Sequence, residues 1–247
     1  MAGPPDPATL AASLLARLVA MRNPDNVAGM ARFGINPEGT LGVPVTALRG
    51  IAKEQRPLRR NDPVAAHRVA ALLWDSGIHE ARILAGLIDV PALVTRAQAD
   101  AWASDLDSWD VCDQLCALFA STAFARELVA GWTAAEEEFV KRAGFVVACT
   151  LTVHDKAADD RSIAGFLVPV EREATDARNS VKKAVNWTLR QVGKRSSGCH
   201  SAAIASAERI LAAHPDSPAA RWIARDALRE LRSDAVLRRV GRAAAGQ

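Results

Sequence analysis

Apolar residues recur along this chain at intervals of three and four, the spacing that places them on one face of an α-helix. In residues 9–21, the four leucines share one side of such a helix. The same spacing predicts helices over residues 45–53, over residues 63–74 and from residue 78 onward. No segment alternates apolar and polar residues as a half-buried strand does. The pattern therefore predicts an all-α protein.

Helix start signals support this interpretation. Asp62 before Pro63 and Ser217 before a second proline each pair a capping side chain with proline at the first helical position. Thr133 with Glu136 three residues later predicts a capping box ahead of a helix over residues 139–153.

Short connections between helices favour antiparallel helix pairs stacked side by side as an irregular α-solenoid, because no strict sequence repeat is visible. A compact orthogonal bundle is the alternative. The 247 residues, 49% of them hydrophobic, suffice for one domain or one continuous array. We predict a single domain over residues 1–247, with a frayed basic tail from about 238 to 247.

Composition and charge narrow the function only slightly. A formal net charge of +3 does not by itself identify a nucleic-acid-binding protein. No apolar run approaches the length of about 20 residues that crosses a bilayer, and no export signal is recognisable. The four cysteines lack a recurring metal-ligand spacing. We expect a monomeric, cytoplasmic, nucleoid-associated protein with no membrane contact, no metal and no cofactor.

The most informative stretch is residues 178–195, which contains six basic residues and no acidic one. At about 100° per residue, Lys183, Trp187, Arg190 and Lys194 fall on one narrow stripe, opposite the apolar residues. A tryptophan in such a stripe can pack on a sugar or base while its neighbours neutralise phosphates. The alternative is a solvated basic face on which the tryptophan fills a packing gap.

A second stretch covers residues 107–119. Asp107 or Ser108 is expected to cap a helix there, which places Trp109 and Asp113 one turn apart on the same side. A carboxylate beside an indole suits a cationic reacting centre. The alternative is a surface acid next to a partly buried packing residue.

A third stretch, residues 138–153, is apolar on nearly all sides and should form a central helix. Lys141 and Arg142 are the exceptions near its beginning. They are expected either to bind phosphate or to pair with Glu137 or Glu138.

Four stretches together resemble a known family: residues 23–43, residues 73–81, SWDVCDQL at 108–115 and SVKKAVNWTLR at 180–190. Their order and separation are similar to those of the DNA alkylation repair family, the HEAT-like-repeat DNA glycosylases. The similarity spans roughly residues 10–235, and its last two motifs, the WDxxD of the third stretch and the basic helix of the fourth, are specific in combination.

This resemblance implies a curved α-solenoid of HEAT-like repeats whose concave basic groove holds duplex DNA. It implies that the catalytic residues, which converge on the deoxyribose of the lesion, are Trp109, Asp113 and Trp187. Arg142 resembles the central-helix arginine that contacts the DNA backbone. The remaining candidates for DNA binding lie on the basic helix: Lys182, Lys183, Arg190 and Lys194.

The implied activity is excision of cationic N3-alkyladenine and N7-alkylguanine by hydrolysis of the N-glycosidic bond, without base flipping. The alternatives are a non-catalytic DNA-binding repeat protein, a glycosylase specialised for bulky adducts, and a protein-binding helical scaffold. The last fits poorly with a strip of residues that lacks acids.

Overall fold

The computed structural model describes residues 6–245, which form sixteen α-helices and, within that range, no strand. The all-helical prediction is confirmed. No helix in the described part of the chain has the length and apolar character needed to span a membrane. The chain divides into two compact units, Met1–Phe124 and Ala125–Gln247. Whether they act as one cooperative domain stays a prediction.

Unit 1 contains eight helices: α1 (Pro7–Ala20), α2 (Pro24–Ala31), α3 (Val45–Glu54), α4 (Arg56–Asn61), α5 (Pro63–Asp75), α6 (His79–Ile88), α7 (Arg96–Ser104) and α8 (Trp109–Phe119). Helix α5 begins as its sequence predicts, because the Asp62 side chain accepts a hydrogen bond from the Ala65 amide at 2.9 Å.

Helix α6 lies at the centre of unit 1 and packs against α3, α5 and α8. Its fully buried Ile83 and Leu84 share the core with Leu115 of α8. At one end of the unit, the ring of Trp74 on α5 stacks on Trp102 of α7, with centroids 4.4 Å apart. Burial of apolar side chains from each neighbouring helix places α8 firmly beside α6.

Unit 2 contains the other eight helices: α9 (Ala125–Trp132), α10 (Glu138–His154), α11 (Asp160–Ala164), α12 (Leu167–Arg172), α13 (Asn179–Gly193), α14 (Ser197–Ala213), α15 (Pro218–Leu231) and α16 (Asp234–Ala245). Helices α10, α13 and α15 pack in sequence, and α14 covers α13 and α15. Helix α10 is buried along most of its length, as expected of a central helix. Stacking of successive helices in this way produces one row within the unit.

The capping box predicted at Thr133 is wrong. Its hydroxyl donates to the Val129 carbonyl oxygen at 2.7 Å and so belongs to the end of α9, not to the start of α10. Helix α10 follows Glu137, whose side chain makes no capping hydrogen bond. A hydroxyl can satisfy the carbonyl four residues earlier as readily as an amide ahead of it, and sequence spacing does not separate the two cases.

The frayed tail predicted from about residue 238 is also corrected. Helix α16 continues through Ala245, and residues 246–247 lie outside the described part of the chain. Val236 and Val240, one turn apart, are each only 6% exposed, and α16 packs against α14 and α15. Two buried valines on one face hold a helix that its basic composition does not predict.

Candidate functional site

The start of α8 is fastened to the loop of residues 34–44. The Ser108 hydroxyl accepts a hydrogen bond from the Asn36 amide at 3.0 Å, and the Asn36 side chain donates to the Asp107 carboxylate at 2.6 Å. Neither side chain therefore caps α8, contrary to the sequence-based expectation. The loop takes the oxygens that a helix amide would otherwise use, and the first residue of the helix, Trp109, is held against that loop.

Trp109 is partly exposed and firmly oriented. Its indole nitrogen donates to the Phe33 carbonyl oxygen at 3.0 Å, while 38% of the residue remains open to solvent. The ring borders an open, mainly apolar groove of about 570 Å³ whose lining includes Met30, Phe33 and Val45. One edge of the indole is thus fixed by the protein, and part of its surface is available to a ligand.

Asp113 lies one turn after Trp109 on α8, on the side that is not core. It is partly exposed, whereas Val111, Leu115 and other apolar residues of the helix are buried. This division of the helix agrees with the spacing seen in the sequence. An acid and an indole therefore share the accessible side of α8.

A buried carboxylate that sequence reasoning had assigned no role supports this arrangement. Glu80, 1% exposed, accepts hydrogen bonds from the backbone amides of Leu41, Gly42 and Val43 at 2.8, 2.6 and 3.1 Å. Gly42 has a φ of +81°, and a Cβ there would lie 2.2 Å from the Asn23 carbonyl oxygen. The loop is thus held to α6 by three charge-assisted bonds at a position that only glycine fits.

The first aspartate of the WDxxD motif has a structural partner. Asp110 is 9% exposed, and its Oδ2 lies 2.8 Å from Nε2 of the buried His79 on α6. This contact joins the first turn of α8 to the first turn of α6. The spacing of the motif placed Trp109 and Asp113 on one side of α8, but it did not indicate that Asp110 contacts a histidine of another helix.

Helix α13 has the two faces that its sequence predicts. Val181, Val185 and Leu189 are fully buried, Lys183 is exposed and Trp187 is half-buried. The tryptophan is therefore partly accessible on the basic side. Within the part of the chain that the structure describes, Lys183 forms no ion pair.

The other end of the basic stripe is partly neutralised by α15. Glu230 accepts from Arg190 Nη1 at 2.5 Å and from Lys194 Nζ at 2.7 Å, and Asp226 lies 3.9 Å from Arg190 Nε. Burial would raise the pKa of the Glu230 carboxyl, but hydrogen bonds from Lys194 and Arg190 outweigh that effect and lower the pKa. The stripe has no acid of its own, yet two of its cations are engaged by a neighbouring helix.

Lys182 points to a different group. Its ammonium lies 5.1 Å from the centroid of the Trp222 ring on α15, within the range of a cation–π contact. The four basic candidates on and just after α13 thus fall into three environments, and their role in DNA binding stays a prediction.

The basic pair at the start of α10 lies inside unit 2. Lys141 is 9% exposed and forms ion pairs with Glu173 and Asp176, instead of the acids Glu137 and Glu138 considered from sequence. Arg142 is 6% exposed, and its Nη1 donates to the Ser180 carbonyl oxygen at 2.7 Å. Arg142 therefore braces the start of α13, and a contact between it and DNA stays a prediction.

Comparison with known proteins identifies the family. A family model described as "DNA alkylation repair enzyme" matches residues 14–231. The chain belongs to this family. No curated protein matches the chain. The resemblance inferred from the motifs is thereby confirmed. The assignment of Trp109, Asp113 and Trp187 as catalytic residues stays a prediction.

A solved structure shares the fold of this DNA alkylation repair family member. It is described as "a new family of proteins related to the HEAT-like repeat DNA glycosylases with affinity for branched DNA structures". The two chains are 20% identical, and the match covers 79% of this chain and 81% of the other, with a TM-score of 0.65. The HEAT-like helical fold is confirmed.

Proposed function

We propose that this chain is a monofunctional DNA glycosylase that releases N3-alkyladenine and N7-alkylguanine from duplex DNA. The observation that carries the proposal is the pairing of an oriented, partly exposed indole at Trp109 with a carboxylate one turn away at Asp113. The half-buried Trp187 on a basic helix and membership of the DNA alkylation repair enzyme family support it.

The proposed reaction uses charge that the lesion already carries. Alkylation at N3 or N7 makes the purine cationic, so the bond from C1′ to the base breaks with its electron pair leaving on the base. Oxocarbenium character develops on the sugar, and the Asp113 carboxylate stabilises it and orients a water molecule. The water oxygen bonds to C1′ and loses a proton, leaving an abasic site and a neutral free base.

The two tryptophans have a supporting role in this proposal. The face of Trp109 stabilises the sugar cation by about 1–2 kcal/mol, and a similar contribution from Trp187 stays a prediction. Because the base leaves as a neutral molecule, it needs no proton from the enzyme and no enclosing pocket. We therefore propose that cleavage occurs without base flipping, and we expect neutral lesions to be poor substrates.

The test is release of modified bases from methylated duplex DNA. Wild-type protein should liberate 3-methyladenine and 7-methylguanine and leave abasic sites, both measured by chromatography with mass detection. Asp113→Asn should lower the rate by about 100-fold or more, with duplex binding largely retained. Asp100→Asn is the matched control, because it makes the same change of charge on α7, where Asp100 pairs with Arg96. Equal rates for Asp113→Asn and wild type would remove Asp113 from the mechanism.

A second candidate function is binding of branched DNA without catalysis. The solved structure with the same fold is described as having affinity for such DNA. The two functions separate in one experiment, in which a four-way junction and a linear duplex of the same sequence compete for the protein. Preference for the junction together with no base release would favour the binding function.

The substrate class also has two versions. The apolar groove beside Trp109 suits an apolar bulky adduct as well as a methyl group, because the ring and the groove lining are continuous. Comparing release of 7-methylguanine with release of a bulky N3-adenine adduct decides between them. Phe33→Ala, which removes an exposed wall of the groove, should then affect the bulky substrate more.

A further inference from the structure

The outer face of α15 carries an aromatic residue among arginines. Trp222 is 40% exposed, which makes it one of the few large apolar side chains open to solvent. It borders an open pocket of about 440 Å³ on α15, lined by Pro218, Arg221, Trp222, Arg225, Asp226 and Arg229. Its lining includes none of the proposed catalytic residues.

Trp222 lies away from the core side of its helix. The buried side of α15 is formed by small and aliphatic residues, among them Ile223, Ala227 and Leu231. Trp222 instead meets Lys182 of α13, whose ammonium lies 5.1 Å from the ring centroid. The ammonium lies over the indole ring, and the part of the ring that is open to solvent is placed to receive a planar group.

The charges around the ring favour an anionic ligand. Three arginines line the pocket against one carboxylate, Asp226, which is already paired with Arg229. Arg221 donates to the Pro215 carbonyl oxygen at 3.1 Å, and Arg225 is exposed. In the described part of the chain, Arg225 forms no ion pair. The pocket thus combines an accessible aromatic surface with excess positive charge.

We propose that this surface binds an unpaired nucleotide of DNA, with the base stacked on Trp222 and the adjoining phosphates on Arg221 and Arg225. The inference rests on the proposed binding of DNA and adds a preference for unpaired segments. Inside a regular duplex, neighbouring base pairs cover both faces of each base, so away from the duplex ends an indole can stack only on an unpaired base. Phosphate contacts to a duplex would need the arginines but not the tryptophan.

Three labelled DNAs test the proposal by fluorescence polarisation: a blunt duplex, the same duplex with a single-stranded 3′ tail, and the tail strand by itself. Wild-type protein should bind the tailed duplex about tenfold more tightly than the blunt one, the scale of one stacked base. Trp222→Ala should abolish this preference, and Trp222→Phe should retain most of it, since a phenyl ring also stacks.

Two arginine variants test the phosphate contacts. Arg225→Ala should weaken binding of the tailed duplex, whereas the control Arg232→Ala should not. Arg232 comes directly after α15 in the chain and is exposed, but it lies outside the pocket and pairs with Glu208 at 2.6 Å. Thermal unfolding of each variant establishes that it is folded.

Three results would overturn the proposal. The wild type could bind both duplexes equally, the Trp222→Ala variant could keep the preference for the tailed duplex, or that variant could lose affinity for both duplexes to the same extent. Base release by the wild type from methylated blunt duplex is measured in parallel. Release without tail preference would reject only this inference. Tail preference that depends on Trp222, with no release, would reject only the glycosylase.

Discussion

Replacing Glu230 with glutamine should strengthen DNA binding and weaken the fold of the second unit. The carboxylate engages Arg190 and Lys194 through bonds of 2.5 and 2.7 Å, so these two cations are held within the protein. Glutamine has almost the same shape but no charge. The variant therefore removes one negative charge of α15 from beside the stripe and releases Arg190 and Lys194 for phosphates.

The size of the effect follows from the number of phosphates gained. Each phosphate contact steepens the dependence of log affinity on log salt by about 0.9. One or two new contacts at Arg190 and Lys194 therefore add about 0.9 to 1.8 to the slope, and affinity should fall about 3- to 12-fold more between 50 and 200 mM salt. The side chains of Glu230, Arg190 and Lys194 are 30%, 29% and 16% exposed, so screened bonds of this kind should cost about 1–2 kcal/mol of unfolding free energy.

The assay is fluorescence polarisation of a blunt duplex over a series of salt concentrations, with chemical unfolding of each variant. Glu208→Gln is the matched control, because Glu208 pairs with an exposed arginine and undergoes the same charge change. Lys183→Ala should act in the opposite direction and make the slope shallower by about 0.9. If Glu230→Gln leaves the slope unchanged, or changes it no more than Glu208→Gln does, Arg190 and Lys194 do not contact phosphates.

Two further predictions concern stability. Gly42→Ala should lower the unfolding free energy, measured by chemical denaturation, by about 2 kcal/mol or more. The new methyl group would clash with a backbone carbonyl oxygen, and the backbone at this position has a positive φ. Gly29→Ala is the control: this glycine is helical with open space around it, so its substitution should be neutral or stabilising. Burial would raise the pKa values of Glu173 and Asp176, but hydrogen bonds and the charge of Lys141 help to lower them below their ordinary 4.5 and 3.8. The two carboxylates should therefore stabilise the fold at neutral pH, and this stabilisation should be lost as the pH falls from about 4.5 through the lowered pKa values. Denaturation between pH 7 and 3 measures the loss, and an equally steep decline in a Glu173→Gln variant would contradict the prediction.

Local spacing determined most of the helices and the sides that they expose. Trp109 and Asp113 share a side of α8 because residues four apart are neighbours on any α-helix. Val181 and Leu189 are buried and Lys183 is exposed for the same reason. The family motifs in their order indicated the DNA alkylation repair family, which no periodicity contains, and the family match confirmed that membership.

Only the tertiary structure decided which acids pair with the basic side chains and which acid holds the loop next to the candidate site. Glu230 lies 40 residues from Arg190, and Glu80 lies 37 to 39 residues from the loop amides that it binds. In the sequence each of these acids has the appearance of an ordinary helix-surface residue. Which cations remain available to DNA therefore could not be read from the basic helix by itself.

The physical reason is the range of the interactions. Helical periodicity and the capping of helix starts by aspartate or proline involve residues only three or four positions apart. Amphipathic faces and helix ends such as the one at Asp62 are therefore determined by the local sequence. The partner of a charged side chain is whichever opposite group the packing of other helices brings within hydrogen-bond distance. That choice made Asp110 a bracing residue, engaged Arg190 and Lys194, and left Lys183 and Trp222 exposed.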